Sequence, residues 1–396
     1  MRVLHVIPSL SVTHGGPTEV LALMERGLSA IGVTVVTATT DDDGPFRRFT
    51  HAQETEASGA TRVYFRKWVD FYKVAPSMGP WLWRHINTFD IVHIHSLFSF
   101  ASVLAALVAK QRGVPYIVRP LGTLSQYGMR QRHRWLKRFS LALLEKRILY
   151  RAAAVHFTSM AEREEAQLLN LRFRAVVIPL AAKAETLREE WQLINDYPLL
   201  GNRRIVLYLS RLDPKKNIEG LFRALASVRP EEHNAVLLIA GDGHADHVAS
   251  LKTLAQTLKI EPHVVWSGDI RGTKKAAAFA AAQIFVLPSL SENFGVAGVE
   301  AMLAGLPCIF GEGVAIANAA TRAGASITVT SKPESIARAL LELLANQQKC
   351  EEMGRRAQEF AEREFSVKTM AERLTALYRD IINPQEMQAP WILRNN

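Results

Sequence analysis

Residues 284–310, IFVLPSLSENFGVAGVEAMLAGLPCIF, follow the pattern strand, turn, helix, strand. The four apolar residues 284–287 predict a buried strand, and Pro288 ends it because proline lacks the N–H that a strand ladder requires. From Val296 onward, apolar residues recur at three- and four-residue spacing, which predicts a helix with one buried face. A second apolar run follows at 308–310. Helices that alternate with strands in this way are typical of a doubly wound α/β sheet.

Two glutamates lie in this segment, Glu292 in the turn and Glu300 in the early helix. Ligands of open parallel sheets bind in the crevice at the carboxyl ends of the strands, where a helix start offers free N–H groups to a phosphate. A diphosphate bound there leaves Glu300 able to accept hydrogen bonds from ribose hydroxyls and Glu292 able to reach a sugar. Taken alone, the spacing of the two glutamates is a weak signal and favours a simpler interpretation, two solvated carboxylates.

The complete string SENFGVAGVEAMLAGLP, residues 291–307, resembles the donor-site motif of retaining glycosyltransferases of family 4, the glycosyltransferase group 1 proteins of GT-B fold. The resemblance implies an α/β protein with two doubly wound Rossmann-like domains that face each other across a cleft. It also implies that Glu292 acts in catalysis and that Glu300 binds the donor. The motif supplies four further donor-binding candidates, which are Asn293, Phe294, Gly295 and Val296.

Two cations in the second half of the chain extend the resemblance. Arg211 and Lys216 follow an apolar run at 205–209, so both are expected near the carboxyl end of one strand. Two fixed cations at that position would neutralise a diphosphate leaving group as its charge develops. As isolated residues they are better explained as surface cations. The resemblance of the segment 210–217 to the family assigns both of them to the diphosphate.

Two glycine-containing loops are also expected to meet the donor. Gly15-Gly16 follows the first predicted strand, where a glycine pair lets the backbone approach a ligand closely. The pair resembles the loop that family-4 enzymes place beside the donor diphosphate, and without a G-x-G-x-x-G pattern it does not support NAD binding. In this fold the loop after the strand at 264–268 meets the nucleobase, which makes Gly268 and Asp269 donor-binding candidates.

The first half contains polar residues that could face an acceptor. His93 and His95 alternate along one predicted strand and share one side of it. Spacing indicates no third ligand, so no metal site is predicted. Many relatives have a histidine after the next strand, where this chain has Arg119. His95 and Arg119 are therefore the acceptor-side candidates. The acidic triplet 41–43 does not converge on a metal and is predicted to be a solvated loop.

The excess positive charge is confined to the first half. Residues 1–180 carry 23 Lys and Arg against 13 Asp and Glu, whereas residues 181–396 carry 25 of each. Eight cations and one glutamate fall within 130–151, which also has the apolar stripe of a helix. Basic amphipathic segments favour anionic membranes or other anionic partners. We predict that 130–151 contacts an anionic membrane surface, with a solvated helix face as the alternative. Nucleic acid is not an expected partner, because no nucleic-acid-binding motif is present.

A chain of 396 residues is long enough for two domains, each with its own core. We predict an N-terminal acceptor-side domain at 1–182, a C-terminal donor-binding domain at 204–368, and a last helix at about 369–382 that packs back on the first domain. The two cysteines give no disulfide framework and no metal spacing. No secretory signal or bilayer-spanning run is recognised, so we expect a cytoplasmic protein that is peripheral on the inner face of the cell membrane.

These patterns predict transfer of a sugar from a nucleoside diphosphate sugar to an acceptor hydroxyl, and the family resemblance implies retention of configuration without a cofactor or metal. Closure of the two domains would bring Gly15-Gly16 opposite Arg211, Lys216 and Glu292. The expected acceptor is a glycan or a lipid-linked molecule in surface polysaccharide or glycolipid assembly. Two alternatives stay open. One is a sugar-nucleotide epimerase or phosphorylase with the same fold, and the other is an inactive protein that binds a sugar nucleotide.

Overall fold

A computed structural model gives the architecture of the chain. It describes residues 1–11, 16–43, 46–47, 53–55, 59–124, 140–183 and 190–384. The chain separates into two compact units. The N-terminal unit takes in Met1–Ala181 and the chain from Val367 onward, and the C-terminal unit is Ala182–Ser366. Each unit contains a mainly parallel sheet with helices, which confirms the predicted fold class of two Rossmann-like α/β domains.

The N-terminal unit is built on an eight-stranded sheet of order β10-β9-β8-β7-β1-β2-β6-β5. All neighbouring strands run parallel except β5 and β6. The strands of the sheet are β1 (Arg2–Val6), β2 (Thr34–Thr40), β5 (Gln53–Thr55), β6 (Thr61–Phe65), β7 (Ile91–His95), β8 (Tyr116–Arg119), β9 (Ala154–Phe157) and β10 (Ala175–Val177), while β3 (Asp42–Asp43) and β4 (Phe46–Arg47) form a separate two-stranded ribbon. After β1 the chain adds β2, β5 and β6 on one side of that strand, and it then adds β7 to β10 on the other side. The strand order therefore reverses between β1 and β7.

The α-helices of the N-terminal unit are α1 (Gly16–Ala30), α2 (Met78–His85), α3 (Phe100–Gln111), α4 (Lys146–Arg151) and α5 (Met160–Gln167), together with the late helix Val367–Ile382. This late helix packs along α1. The approach is close at Gly27, where a Cβ atom would lie 2.9 Å from Cγ1 of Val367. Glycine at this position therefore lets the two helices meet at backbone distance.

The two faces of the N-terminal sheet differ in chemistry. Because side chains alternate along a strand, Leu4 and Val6 of β1 join the apolar core beneath α2 and α3. Beside apolar residues such as Ile117, which lies in register with His93, the other face carries four histidines and one arginine that are fully buried. They are His5, His93, His95, Arg119 and His156. Strands buried on both faces are usually continuous apolar runs, so this polar face is a specific feature of the unit.

The C-terminal unit has a six-stranded parallel sheet of order β13-β12-β11-β14-β15-β16. Its strands are β11 (Arg204–Leu209), β12 (Ala235–Ala240), β13 (Val264–Gly268), β14 (Ile284–Leu287), β15 (Cys308–Gly311) and β16 (Ser326–Val329). The strand predicted at 284–287 is confirmed. The order reverses between β11 and β14, and ligands of doubly wound sheets bind outside the strand ends at such a point.

Among its described residues, the C-terminal unit has one α-helix before its first strand, one between each pair of consecutive strands and two after the last strand. These helices are α6 (Glu190–Asp196), α7 (Ile218–Val228), α8 (Ala245–Thr257), α9 (Gly272–Ala281), α10 (Val296–Leu303), α11 (Ala317–Arg322), α12 (Pro333–Ala345) and α13 (Gln347–Phe365), and the helix Val367–Ile382 of the other unit is α14. Helix α6 lies in the segment between the two predicted domains, 1–182 and 204–368. No helix among the described residues is long and apolar enough to cross a bilayer.

The prediction that the acidic triplet 41–43 forms a solvated loop is wrong. Asp41 and Asp42 are both buried. The ammonium groups of Lys67 and Lys73 donate hydrogen bonds to the carboxylate of Asp42. Burial alone would raise the pKa of Asp42, but the two lysines outweigh it and lower the pKa to about 2. Asp42 is therefore the acidic member of a buried ion-pair cluster, which residue type alone did not reveal.

Candidate active site

The point of strand reversal in the C-terminal sheet carries two of the predicted catalytic residues. Lys216 follows β11 and Glu292 follows β14, which is the neighbouring strand. The ammonium group of Lys216 donates a hydrogen bond to Glu292 Oε2 and forms an ion pair with it. The structure thus brings together two residues that are 76 positions apart in sequence.

Local structure fixes the position of Lys216. A 3₁₀ turn at Pro214–Lys216 begins with Asp213, whose side chain accepts a 3.1 Å hydrogen bond from the N–H of Lys215. The carbonyl of Lys215 in turn accepts a 2.8 Å hydrogen bond from the N–H of Leu290. This second bond ties the turn after β11 to the turn after β14. Lys216 is held beside Glu292 by the backbone as well as by charge.

The ammonium group of Lys216 is nearly buried, and this changes its acidity. Burial, with a smaller contribution from the cations Lys215 and Arg211, lowers the pKa of Lys216 to about 7. The carboxylate of Asp213 acts in the opposite direction, because it stabilises the charged ammonium. Arg211 is exposed at the end of the same strand. The site therefore contains one buried and one exposed cation within the segment predicted to bind a diphosphate.

Glu292 is fixed by the loop that follows β15. Its N–H donates a 2.8 Å hydrogen bond to the carbonyl of Gly313, and its carbonyl accepts one of 3.2 Å from the N–H of Ala315. Close by, the hydroxyl of Ser289 is buried and has no hydrogen-bond partner among the described residues. A buried hydroxyl without a partner is uncommon and marks a place where a ligand or water completes the hydrogen bonding.

Helix α10 begins beside these residues. Gly295 precedes it with a φ of 90°, a left-handed conformation that a residue with a Cβ rarely adopts. Phe294 is buried and packs edge-on against Phe365 at a ring distance of 5.6 Å. The side chain of Phe294 is therefore part of the core, and only its backbone can face a ligand. Asn293 and Val296 are partly exposed on either side of Gly295.

Glu300 lies in α10 and is almost completely buried. Lys275 of α9 donates a 2.6 Å hydrogen bond to Glu300 Oε1 and forms an ion pair with it. Lys275 could not be predicted from the sequence, because no motif joins a lysine in one helix to a glutamate 25 residues later. The pair fixes the direction of the carboxylate that was predicted to hold a ribose.

Gly268 and Asp269, the residues predicted to contact the nucleobase, lie at the end of β13, which is an edge strand of the sheet. Gly268 ends β13 with a φ of 68°, and a Cβ there would meet no atom within 4 Å. Asp269 is exposed and forms a 2.8 Å ion pair with Arg271. Strand β13 is separated from β11 by β12. These residues are open to a ligand but are not in contact with Lys216 or Glu292.

The polar candidates of the N-terminal unit are interior residues. His95 Nε2 lies 2.7 Å from His5 Nδ1, and both side chains are fully buried. Together with His93, they form a group whose possible ligand atoms all lie within 4.8 Å of one another. The third histidine, which spacing along one strand did not indicate, comes from the neighbouring strand β1. Of the predicted glycine pair, Gly16 begins α1 and Gly15 lies outside the described residues.

Hydrogen bonding and charge make this histidine group a poor metal site. His93 Nδ1 lies 2.8 Å from the hydroxyl of Tyr378, and its Nε2 lies 3.3 Å from His156 Nδ1. Both nitrogens of His93 are therefore already engaged. Burial, aided by the nearby charge of Arg119, lowers the pKa of His5 to about 3. A buried cation would meet the positive charge of Arg119 with no carboxylate in the group to offset it.

Arg119 is fully buried at the end of β8. Its Nη1 lies 3.1 Å from Met24 Sδ, while Nε and Nη2 have no hydrogen-bond partner among the described residues. Burial lowers the pKa of Arg119 to about 10, and the carboxylate of Glu162 acts in the opposite direction. Neither acceptor-side candidate, His95 or Arg119, presents its side chain to solvent.

Two family models match the chain. A model described as glycosyl transferases group 1 matches residues 189–360, and one described as a glycosyl transferase 4-like domain matches residues 15–181. Between them they leave out only the first 14 residues, residues 182–188 and residues 361–396. The two matches correspond to the two sheets described above.

Curated relatives and a solved structure agree with these models. The chain is 26% identical to the GDP-mannose:cellobiosyl-diphosphopolyprenol alpha-mannosyltransferase of Xanthomonas campestris over 83% of both chains. It is 28% identical to a GDP-mannose-dependent alpha-(1-6)-phosphatidylinositol monomannoside mannosyltransferase of Mycobacterium tuberculosis over 50% of this chain and 51% of the relative. The first relatives are matched over 27% to 51% of their own length. The structure of Anabaena HepE in complex with UDP and glucose has 19% identity and a TM-score of 0.73, covers 95% of this chain and 98% of HepE, and has the same fold.

Proposed function

Because this chain belongs to the group 1 glycosyltransferases, we propose that it transfers a hexosyl residue from a nucleoside diphosphate sugar to a hydroxyl of a lipid-linked acceptor, with retention of configuration. The observation that carries the proposal is the contact between Lys216 and Glu292 at the reversal of the C-terminal sheet, with Arg211 exposed beside it. At this point the cation can pair with the diphosphate of a sugar nucleotide, and the carboxylate can accept hydrogen bonds from its sugar hydroxyls.

The proposed chemistry depends mainly on stabilisation of the leaving group. As the bond between the sugar and the diphosphate breaks, negative charge develops on the departing phosphate oxygen. Lys216 and Arg211 are fixed cations that stabilise this charge without needing to reorganise, and removal of one such group typically costs about 10²–10³ in turnover. The two side chains supply the positive charge in this scheme, so the proposal includes no metal.

Binding of the donor exchanges partners at Lys216. In the absence of a ligand its ammonium contacts Glu292. A diphosphate carries more negative charge than one carboxylate and attracts the ammonium more strongly, so Glu292 is released to accept hydrogen bonds from hydroxyls of the donor sugar. Glu300, held in one direction by Lys275, accepts hydrogen bonds from the ribose hydroxyls. The first N–H groups of α10, which lack partners within the helix, face the diphosphate.

The N-terminal unit is proposed to bind the acceptor. Gly15-Gly16 would approach the donor diphosphate from this unit. Because His95 and Arg119 are buried, we assign them a supporting role at the ends of β7 and β8 rather than a direct contact with the acceptor. A lipid-linked acceptor is proposed because two relatives are named for a diphosphopolyprenol and a phosphatidylinositol substrate. Such an acceptor places the protein at the cytoplasmic face of a membrane.

A thermal-shift panel with UDP, GDP, ADP and TDP tests donor binding. A ligand that binds only the native state raises its stability by mass action. We expect one nucleotide to stabilise the parent protein, to stabilise Glu300→Ala much less, and to act normally on Glu334→Ala, which removes an exposed glutamate from α12. If none of the four nucleotides stabilises the folded parent, the proposed donor site is wrong.

The reaction class is tested with the sugar derivative of the stabilising nucleotide. Release of the nucleoside diphosphate that depends on a lipid-linked acceptor is the expected result. Release that requires only inorganic phosphate would indicate a phosphorylase, and interconversion of the sugar without release would indicate an epimerase. Donor binding without transfer, phosphorolysis or epimerisation would indicate an inactive protein. The anomeric coupling constant of the product, measured by NMR, distinguishes retention from inversion.

A further inference from the structure

The loop that follows β6 in the N-terminal unit, residues 66–74, exposes a tryptophan. Trp68 is 67% exposed, the highest value among the large hydrophobic side chains of the described residues. Tryptophan is highly buried on average in folded proteins, so this exposure calls for an explanation. Strand β6 runs parallel to β2, and the loop therefore lies at the carboxyl edge of the sheet, where doubly wound sheets bind their ligands.

The base of this loop is fixed to the turn after β2. The N–H of Trp68 donates a 2.9 Å hydrogen bond to the carbonyl of Val74, which closes the loop on itself. Lys67 and Lys73, near the two ends of the loop, both donate hydrogen bonds to the buried carboxylate of Asp42. The exposed tryptophan therefore belongs to a segment that is anchored on both sides.

Tyr72 connects the same loop to the other half of the sheet. Its hydroxyl donates a 3.0 Å hydrogen bond to Glu145 Oε1, which also accepts a 3.0 Å hydrogen bond from the N–H of Phe98. Glu145 is buried at the end of a π-helical turn, Leu141–Glu145, and Phe98 follows β7. The contacts of the loop therefore link the ends of β6, β2 and β7, which lie on both sides of the point where the strand order reverses.

The backbone of the loop is strained. Tyr72 and Lys73 have φ values of 60° and 52°, a left-handed conformation that residues other than glycine and asparagine rarely adopt. Such conformations persist only where the surroundings impose them, and here the contacts with Glu145 and Asp42 do so. Strained backbone of this kind is concentrated at binding and catalytic sites. The exposure of Trp68 is thus a property of a loop that the fold holds in one costly conformation.

Charged side chains flank the tryptophan in sequence. Arg66 is exposed, and the side chain of Asp70 is 77% exposed. The ammonium group of Lys67 donates a hydrogen bond to Asp70 Oδ1, which fixes the direction of this carboxylate. A pyranose ring has two kinds of surface, a face of C–H groups and an edge of hydroxyl groups. The electron-rich face of an indole attracts the C–H groups, and a carboxylate accepts hydrogen bonds from the hydroxyls.

We propose that Trp68 stacks on a sugar ring of the acceptor and that Asp70 accepts hydrogen bonds from the hydroxyls of that ring. The inference rests on the proposed function and specifies it, because the part of the acceptor that the protein recognises is then a saccharide. It also replaces His95 and Arg119, which are buried, with side chains that a ligand can reach.

Other occupants of this loop fit less well. An acyl chain or a protein partner requires a continuous apolar surface. Within the segment 66–70 the residues other than Trp68 and Val69 are charged, so the exposed apolar surface is small. A nucleobase also stacks on an indole, but the proposed donor site belongs to the C-terminal unit. Both alternatives are outcomes that the experiment below distinguishes.

Correlation spectra of the ¹⁵N-labelled indole groups of the full chain test the proposal without any turnover. The chain has seven tryptophans, and loss of one signal in Trp68→Phe assigns that of Trp68. Cellobiose, octyl diphosphate, UDP and GDP are titrated separately. Cellobiose offers pyranose faces without a lipid, octyl diphosphate offers a lipid phosphate without a sugar, and the nucleotides offer a base. Concentrations up to about 10 mM suffice for a Kd of about 1 mM.

Trp83 is a matched control. It is 46% exposed in α2 of the same unit, and its ring lies 4.8 Å from the guanidinium carbon of Arg112. Arg112 precedes β8 in sequence, so this second tryptophan lies toward the amino edge of the sheet. Cellobiose is expected to shift the indole signal of Trp68 and to leave that of Trp83, assigned through Trp83→Phe, unchanged.

Saturation transfer to the protons of cellobiose gives the affinity of each variant. Trp68→Ala should bind cellobiose about 5- to 10-fold more weakly, because it loses one aromatic stack, while Trp83→Ala should equal the parent. Trp68→Tyr keeps an aromatic face and should recover most of the affinity, whereas Trp68→Leu keeps only apolar bulk and should not. In the transfer assay Trp68→Ala should raise KM for the acceptor by a similar factor and leave KM for the donor unchanged. Both tryptophans are exposed, so the variants should keep the melting temperature of the parent.

Three results would overturn the proposal. One is the absence of any shift of the Trp68 signal by cellobiose. Another is equal binding of cellobiose by Trp68→Leu and the parent, which would indicate a simple apolar contact. The third is a shift by octyl diphosphate or by a nucleotide in place of cellobiose, which would assign the loop to a lipid or to a base. Stabilisation by nucleoside diphosphates is measured on Trp68→Ala and should equal that of the parent. Failure of the saccharide proposal is therefore distinguishable from failure of the donor-site proposal.

Discussion

The ammonium group of Lys216 contacts the carboxylate of Glu292 where the strand order of the C-terminal sheet reverses. Each residue follows a different strand, and a hydrogen bond between the turns of those strands holds the pair together. In the proposed reaction both members have a second partner, the diphosphate for Lys216 and the sugar hydroxyls for Glu292. The ion pair therefore keeps both side chains in place before the donor arrives.

Replacement of Arg211 by alanine tests the stabilisation of the leaving group. Because its charge acts mainly as the phosphate departs, we expect kcat to fall by about 10²–10³ with little change in KM. Steady-state kinetics with the cognate donor measure kcat and KM separately. Arg223→Ala, which removes another exposed arginine of the C-terminal unit, should keep kcat within twofold, or about 0.4 kcal/mol. A rise in KM at constant kcat for Arg211→Ala would assign this arginine to donor binding alone.

The pH dependence of donor binding should report Lys216. Its pKa is lowered to about 7 in the free protein, so the ammonium loses its proton as pH rises through that value. Only the protonated form attracts a diphosphate. Affinity should therefore fall between pH 7 and pH 9, with a limiting slope of about tenfold per pH unit. Isothermal titration calorimetry with the nucleoside diphosphate checks this. Lys216→Arg stays charged throughout and should flatten the curve; an equally steep curve in that variant would contradict the assignment.

A double-mutant cycle tests whether Lys275 and Glu300 act as one buried pair. Removal of one member of a buried ion pair typically costs about 3–5 kcal/mol in the free energy of unfolding. Lys275→Met alone should therefore destabilise the C-terminal unit more than Lys275→Met combined with Glu300→Gln. Denaturant unfolding of the three variants and the parent gives the coupling free energy. Additive effects would show that the two side chains stabilise the unit independently. Lys275→Arg keeps the charge and should restore most of the stability.

The buried histidines predict loss of stability in acid. Burial lowers the pKa of His5 and of His156 to about 3, against about 6.5 in an unfolded chain. Below pH 6.5 the unfolded state therefore binds protons that the folded state does not. Stability is highest above this pH and falls as pH decreases, by about 2 kcal/mol for each such histidine at pH 5. Hydrogen exchange of the β7 and β8 amides at pH 7.5 and pH 5 measures the change locally. His156→Gln should reduce it, and a pH-independent stability would contradict the prediction.

Features with a local physical signal were predicted correctly from the sequence. The apolar run 284–287 was correctly predicted to be a strand. A short apolar segment that ends at a proline has few alternatives to a buried strand. The motif around Glu300 predicted the family and the fold class, both of which are confirmed. Helix α6, between the two predicted domains, was not predicted, because a helix of seven residues gives little periodic signal.

Contacts between distant elements were not predictable in the same way. His5 joins His93 and His95 only through the register of β1 with β7, and no spacing along one strand encodes a register. Lys275 reaches Glu300 from another helix for the same reason. The error at Asp41 and Asp42 has the same origin. Both carboxylates accept hydrogen bonds from Lys67, which lies 25 residues after Asp42. Of the basic segment 130–151, residues 130–139 lie outside the described residues, and the described part is the π-helical turn followed by α4.

The late position of α14 bears on the order in which the chain assembles during synthesis. The ribosome completes β1 to β10 first, but the helix that packs along α1 begins only at Val367. At about 5–20 residues per second, the first sheet waits roughly 10–40 s for this helix. During that time the sheet lacks the cover of α14, so His93 has no Tyr378 beside it, although Arg119 can already contact Met24 of α1. A polar face is well solvated and attracts other nascent chains much less than an apolar face does. The same side chains that make the finished unit sensitive to acid thus protect the unfinished one from aggregation.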